Sequence, residues 1–200
     1  MSLQPDDVVW VFDGRKGIRS MMKDLVGGYL VSIQALMPPS ALGNFPDPFS
    51  AMAADEEFRA LDHVRGVRLE RLFPRPVAEE LDEDAGAFEG IVRSRATALH
   101  GHAHVVLAEL SGTRDLVAVR EEHVQAWLQT FGALRAALHA DLAGTARPDA
   151  EPTREQIDAE PALAAVLDWL AFNIEELLET RRVCVETGTG LDVSELEEWE

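Results

Sequence analysis

The chain has 200 residues, of which 46% are hydrophobic and 6% aromatic, so it is long and apolar enough to bury a core. It carries 36 acidic and 18 basic residues, and the formal net charge of -18 repels phosphate groups, so DNA, RNA and membrane surfaces are not expected partners. A single cysteine provides no disulfide framework, and no apolar run approaches the roughly 18 residues of a membrane span, so we expect a cytoplasmic protein.

The first segment predicts a short β-structure followed by a helix. Val8–Phe12 is rich in β-branched and aromatic residues, and the Asp13-Gly14 pair after it is a hairpin signal, so a small hairpin is expected over residues 8–18. From Ile18 to Leu36 apolar residues recur every three or four positions, which predicts a helix that Pro38-Pro39 ends.

The same spacing predicts four further helices. Asp47-Pro48 supplies an N-cap and a proline at the first helical position, and that helix should fade near Gly66. The others are expected from about residue 82 to Gly112, from Val124 to Leu142, and from Pro161 to about Arg182, with a polar linker over 143–157. The fold class is therefore an all-α bundle of about five helices, forming one domain over 1–185 with an acidic flexible tail over 186–200.

The tail combines acids with spaced apolar residues. Residues 186–200 contain six acids and no base, as do residues 79–89. The apolar positions of the tail are Leu191, Val193, Leu196 and Trp199. Such a segment can fold as a helix into the groove of a partner protein, and the alternatives are a disordered end or a segment packed on its own domain.

Several motifs resemble an uncharacterised actinobacterial family of acidic, mainly helical proteins. They are RLFP at Arg71–Pro74 with acids and Phe88 after it, AWLQTFGALRAAL at Ala126–Leu138, DPF at Asp47–Phe49 and DWL at Asp168–Leu170. The similarity spans roughly residues 8 to 182, with Gly132 where the family pattern has an Asn-like polar residue. Members of that family are commonly encoded beside the Clp-protease adaptor that recognises N-degrons, which implies an intracellular accessory protein near regulated proteolysis.

Three alternating histidines in LHGHAHVVL, residues 99–107, raise the question of a metal site. The apolar residues on both sides keep helical spacing, so only His100 and His104, one turn apart, can share a ligand. A zinc site needs at least a third protein ligand, so we predict no metal and no cofactor and keep this pair as the alternative.

Two tryptophans and one possible ion pair lie on the predicted core stripes. Trp127 and Trp169 are expected to be core anchors whose indole N–H groups bond to neighbours. Arg135 would pair with a buried Asp168 and hold two helices in register. In the alternative, these four residues line a ligand pocket between helices.

The favoured function is a non-enzymatic accessory protein that binds another protein through its acidic surface or tail. Apolar anchors would provide affinity, and the charge would steer the encounter. The alternatives are an enzyme or small-ligand-binding protein with a cleft between helices, and an acidic DNA-mimicking regulator. Gly27-Gly28 on an apolar helix would permit close helix contact, so a homodimer is also considered.

Overall fold

The computed structural model describes residues 3–43, 45–74 and 85–194, and these are mainly helical. The elements in chain order are β1 (Val8–Asp13), α1 (Ile18–Gln34), α2 (Pro48–Glu57), α3 (Val67–Leu72), α4 (Ala85–Leu110), β2 (Leu116–Arg120), α5 (Val124–Ala143), α6 (Arg154–Ala159) and α7 (Pro161–Thr187). Short 3-10 turns occupy Pro39–Leu42, Ala60–His63 and Glu121–His123. The predicted helical bundle with a small antiparallel β-structure is confirmed.

Helix α5 occupies the centre of the bundle. It packs against α1, α3, α4 and α7. It can contact helices on several sides because buried residues occur on most of its circumference, as expected for an interior helix. Buried alanines, including Ala133, Ala137 and Ala140, leave room for its neighbours to approach. No helix in the described segments is both long and apolar enough to cross a lipid bilayer.

Strand β1 pairs with a strand far along the chain. Its antiparallel partner is β2, with Trp10 opposite Val119 and Phe12 opposite Val117. The Asp13-Gly14 pair therefore does not form a local hairpin with residues up to 18. It starts a turn in which Lys16 and Gly17 have left-handed backbone conformations, and this turn leads directly into α1.

After α1 the chain forms several short helices where the apolar spacing predicts one longer helix. The expected helix from Pro48 to about Gly66 ends at Glu57, where Phe58 is extended, and a 3-10 turn separates it from α3. Helix α6 begins within the predicted 143–157 linker. A capping box explains its start: the Thr153 side chain accepts from the Gln156 N–H at 3.3 Å, and the Gln156 side chain accepts from the Thr153 N–H at 2.8 Å.

Candidate functional site

The predicted tryptophan positions belong to a packed aromatic cluster. Its members are Trp10, Phe12, Trp127, Phe131 and Trp169, with ring centroids between 5.2 and 6.4 Å apart. The exposed fraction of Trp127 is 0%, and Trp169 is half-buried at the edge of the cluster. Trp127 therefore fills the core, as its helical spacing predicts, rather than lining an open pocket.

The Trp127 indole belongs to a polar network that the sequence reasoning missed. Its N–H donates to one oxygen of the Glu109 carboxylate, and the other oxygen lies 2.7 Å from His123 Nδ1. This joins α4 to the start of α5 across a largely buried carboxylate. A carboxylate can orient an imidazole, and here Glu109 holds one ring nitrogen of His123. The other nitrogen, Nε2, lies 3.9 Å from the Glu122 carboxylate. One carboxylate thus contacts side chains from the start and the first turn of α5.

Two further polar contacts fix α7 to the sheet region. The indole N–H of Trp10 donates to Glu176 at 3.1 Å. The Arg181 guanidinium donates to both oxygens of Glu121, with Nε at 2.8 Å from Oε2 and 3.1 Å from Oε1. Hydrogen bonding to Glu121 raises the pKa of Arg181. These residues set the position of α7 relative to β1 and the turn after β2.

Arg135 and Asp168 do not form the predicted buried ion pair. Both are exposed, Arg135 on α5 and Asp168 on α7. The apolar stripe that suggested burial for Arg135 continues through Leu134 and Leu138, while Arg135 lies on the solvent side. These two helices are instead packed through apolar and aromatic side chains.

His100 and His104 are neighbours on α4, as the helical spacing predicts. Their ring centroids lie 4.4 Å apart, and the Gln34 amide nitrogen lies 3.2 Å from His100 Nε2. Burial, followed by the His104 charge, lowers the pKa of His100. Within the described residues no group of three or more His, Cys, Asp and Glu side chains is placed to hold a metal ion.

A small cleft opens between α1, α3 and α5, away from the tryptophans. Its volume is about 160 Å³, and its lining is mainly apolar. The polar lining residues are Asp24, Tyr29, Ser32 and Arg68. The Tyr29 hydroxyl is buried and has no hydrogen-bond partner in the described parts of the chain, and burial raises its pKa. Arg68 pairs with Asp141, so its charge is already matched. The small volume and the apolar lining suit one apolar side chain or a small apolar ligand.

The beginning of the acidic tail packs on its own domain. The Leu191 N–H donates to the Val8 carbonyl at 2.7 Å, and a Cβ on Gly190 would lie 2.9 Å from the same oxygen. Leu191 is 37% exposed and Val193 is half-buried. The other two predicted anchors, Leu196 and Trp199, lie outside the described residues.

Helix α2 presents apolar side chains to solvent. None of its residues is buried, and the exposed fractions of Phe49 and Met52 are 82% and 62%. They are three residues apart and so lie on one side of the helix. Its main packing partner is the Pro39–Leu42 turn. The apolar residues of α2 are not concentrated on one face of the helix. The sequence pattern therefore did not show that Phe49 and Met52 would be exposed.

The face of α1 around Gly27 and Gly28 is also open. Apart from the backbone of α1 itself, no described residue would lie within 4 Å of a Cβ on either glycine. Close helix contact at this face stays a prediction.

These features describe a helical-bundle protein with a two-stranded antiparallel sheet. The chain belongs to the family described as a domain of unknown function, DUF2017, which matches residues 4–181. Comparisons with curated proteins and with solved structures gave no match.

Proposed function

We propose that this member of the family is a non-enzymatic, cytoplasmic accessory protein that binds another protein. The observation that carries the proposal is the exposed apolar pair Phe49 and Met52 on a chain of net charge -18. Neighbouring apolar side chains on a polar surface are typical of protein contact sites. The surrounding acids would steer a basic partner towards this surface.

The acidic tail is proposed as a second contact segment. Its proposed anchors are Leu191, Val193, Leu196 and Trp199, among acids that keep the segment soluble. The hydrogen bond of Leu191 to β1 would fix where the segment leaves the domain. The resemblance to a family encoded beside a Clp-protease adaptor supports a place for the complex in regulated proteolysis.

A specific observation also favours small-ligand binding as a second function. The α1–α3–α5 cleft is mainly apolar, and its polar lining residues include Asp24, Tyr29 and Ser32. A ligand with one hydrogen-bonding group and a short apolar body would match this lining. This holds both for a binding protein and for an enzyme that converts the ligand. Trp127 and Trp169 belong to the aromatic core rather than to this cleft.

The test of the accessory function uses the full chain and a chain that ends at residue 185. Each is cross-linked in extract of the native cells, and every protein captured is then purified and mixed with the full chain. We expect one captured protein to co-elute with the full chain as a stable complex, because apolar contacts persist at dilution. If no captured protein binds after purification, the proposal is wrong.

A further inference from the structure

Helix α2 is held in place by polar contacts at both of its ends. At its start the Asp47 side chain accepts the N–H groups of Phe49 and Ser50 at 2.9 and 3.0 Å, and the Ser50 hydroxyl donates to it at 2.7 Å. At its end the Asp55 carboxylate accepts the Ser40 N–H at 3.0 Å and also the Ser40 hydroxyl. The Asp47 bonds cap the start of α2, and the Asp55 bonds connect its end to the Pro39–Leu42 turn.

An arginine from the bundle secures the end of α2. Arg93 on α4 donates to the carbonyl of Phe58 and lies 3.5 Å from that of Asp55. Arg93 is itself held by Glu89 at 3.0 Å and lies over the Phe58 ring, 5.4 Å from its centroid. The end of the helix is therefore joined to the bundle without covering the exposed side of α2.

The ends of α2 are bonded to the rest of the protein, whereas its apolar side chains are exposed to solvent. An isolated helix of ten residues is only marginally stable in water, so the end contacts are what keep α2 formed. They leave Phe49 and Met52 in solvent, and Leu42 and Phe45, which precede the helix in the chain, are also exposed. The result is a preformed helix whose apolar side chains contribute little to the core.

The charges around α2 indicate the chemistry of its partner. Residues 39–58 contain Asp47, Asp55, Glu56 and Glu57 and no lysine or arginine. The bases nearby are Arg59, directly after this segment, and Arg93, which is paired with Glu89 at the end of the helix. Hydrogen bonds from Ser50 and Ser40 lower the pKa values of Asp47 and Asp55, so both stay ionised at neutral pH. A second copy, with net charge -18, would bring like charges together at this surface.

We infer that α2 is a docking helix for a different protein that offers an apolar pocket rimmed by lysine and arginine. Phe49 and Met52 enter the pocket, and Glu56 and Glu57 face the basic rim. Because the helix is already formed, binding costs less conformational entropy than folding a disordered segment. The inference rests on the proposed function and assigns to it a surface and a partner chemistry.

The first test places a photo-cross-linking amino acid, p-benzoylphenylalanine, at position 49 of the full chain in its native cells. The matched control carries it at position 172, because Phe172 is also an exposed phenylalanine but lies on α7. We expect at least fivefold more adduct from position 49, attached to an apolar peptide with flanking lysines or arginines. An adduct with a second copy, or a yield equal to the control, would overturn the inference.

The second test uses the purified cross-linked protein and measures its affinity for full-chain variants. Phe49→Ala with Met52→Ala should weaken binding at least tenfold, and Phe172→Ala should leave it unchanged. Glu56→Gln with Glu57→Gln should lower the association rate several-fold and reduce its salt dependence. Circular dichroism and thermal unfolding should show every variant folded, since these side chains lie outside the core.

The two proposals fail in different ways. If the Phe49/Met52 variant binds normally but the chain ending at residue 185 does not, partner binding stands and the α2 inference is wrong. If no purified protein binds the full chain, both are wrong.

Discussion

The indole N–H of Trp127 donates to the Glu109 carboxylate, and this hydrogen bond joins α5 to α4 inside the bundle. Trp127 is wholly buried and the Glu109 side chain is mostly buried, so neither group can exchange its partner freely for water.

Replacing Glu109 with alanine should therefore lower the free energy of unfolding by about 1–3 kcal/mol, because the indole N–H loses its acceptor and stays buried. Urea unfolding followed by tryptophan fluorescence measures this change. The control is Glu122→Ala, which removes a more exposed carboxylate near the same histidine. Equal stabilities for the two variants would show that the Glu109 contact contributes nothing.

Glu89 should make the stability of the protein depend on pH. Burial would raise its pKa, but the N–H groups of Ala60 and Leu61 and the Arg93 guanidinium hold the pKa below the ordinary value of 4.5. The ionised form is favoured in the folded state, so its contribution is present above pH 4.5 and is lost as the pH falls through the lower folded pKa.

The measurement is urea unfolding of wild type and Glu89→Gln from neutral pH into the acid range. We expect the variant to be less stable at neutral pH and the difference to shrink in acid. Glu175→Gln, at an exposed position of α7, is the control and should show no such trend. A difference independent of pH would contradict the assignment of the charge to this site.

Gly14 should resist substitution because of its close neighbours. A Cβ there would lie 2.7 Å from both the Arg19 Cβ and the Asp115 carbonyl oxygen. Gly14→Ala should therefore lower the free energy of unfolding by about 1–3 kcal/mol through overpacking.

The matched control is Gly132→Ala in the middle of α5, where a Cβ would lie within 4 Å of no described residue outside the helix's own backbone. This change should raise stability by about 0.5–1 kcal/mol, because alanine loses less backbone entropy in a helix. Thermal unfolding of both variants checks the opposite signs. A gain in stability for both variants would contradict the overpacking expected at Gly14.

The pKa of His100 should depend on the neighbouring His104 ring. Burial is the larger cause that lowers the pKa of His100, and His104 is the smaller one. His104→Ala should raise the pKa of His100 but leave it below 6.5, because the burial remains. NMR titration of the imidazole protons measures this change, and His139→Ala is the control.

The same shift has a consequence for stability. The folded pKa of His100 lies below 6.5, so the unfolded chain binds more protons as the pH falls through 6.5, and stability falls with it. An unchanged His100 pKa in the His104→Ala variant would contradict the contact between the rings.

Helices were predictable where local spacing determines burial. The stripe through Val92, Leu99, Val106 and Leu110 predicts α4, and each of these residues is buried. The expected placement of the histidines relative to that stripe also held, since His104 is exposed and His100 is partly so.

Contacts between distant segments were not predictable. Val8–Phe12 has strand propensity, but nothing local indicates pairing with β2 rather than with the residues after Gly14. Likewise, Glu109 looks like any surface glutamate of a helix until α5 supplies Trp127 and His123. For Arg135 the prediction was wrong in the opposite direction, since burial was expected and the side chain is exposed. Consecutive residues of a helix point in different directions, so Leu134 is buried while Arg135 is not.

The pairing of β1 with β2 also bears on how the protein is made. Trp10 and Phe12 leave the ribosome long before Val119 and Trp127, which bury them. The newly made segment must keep two large aromatic side chains in water, or on a chaperone, while α1 to α4 are still being synthesised. Its aggregation risk is therefore greatest during translation, and slower synthesis between α1 and β2 would extend it.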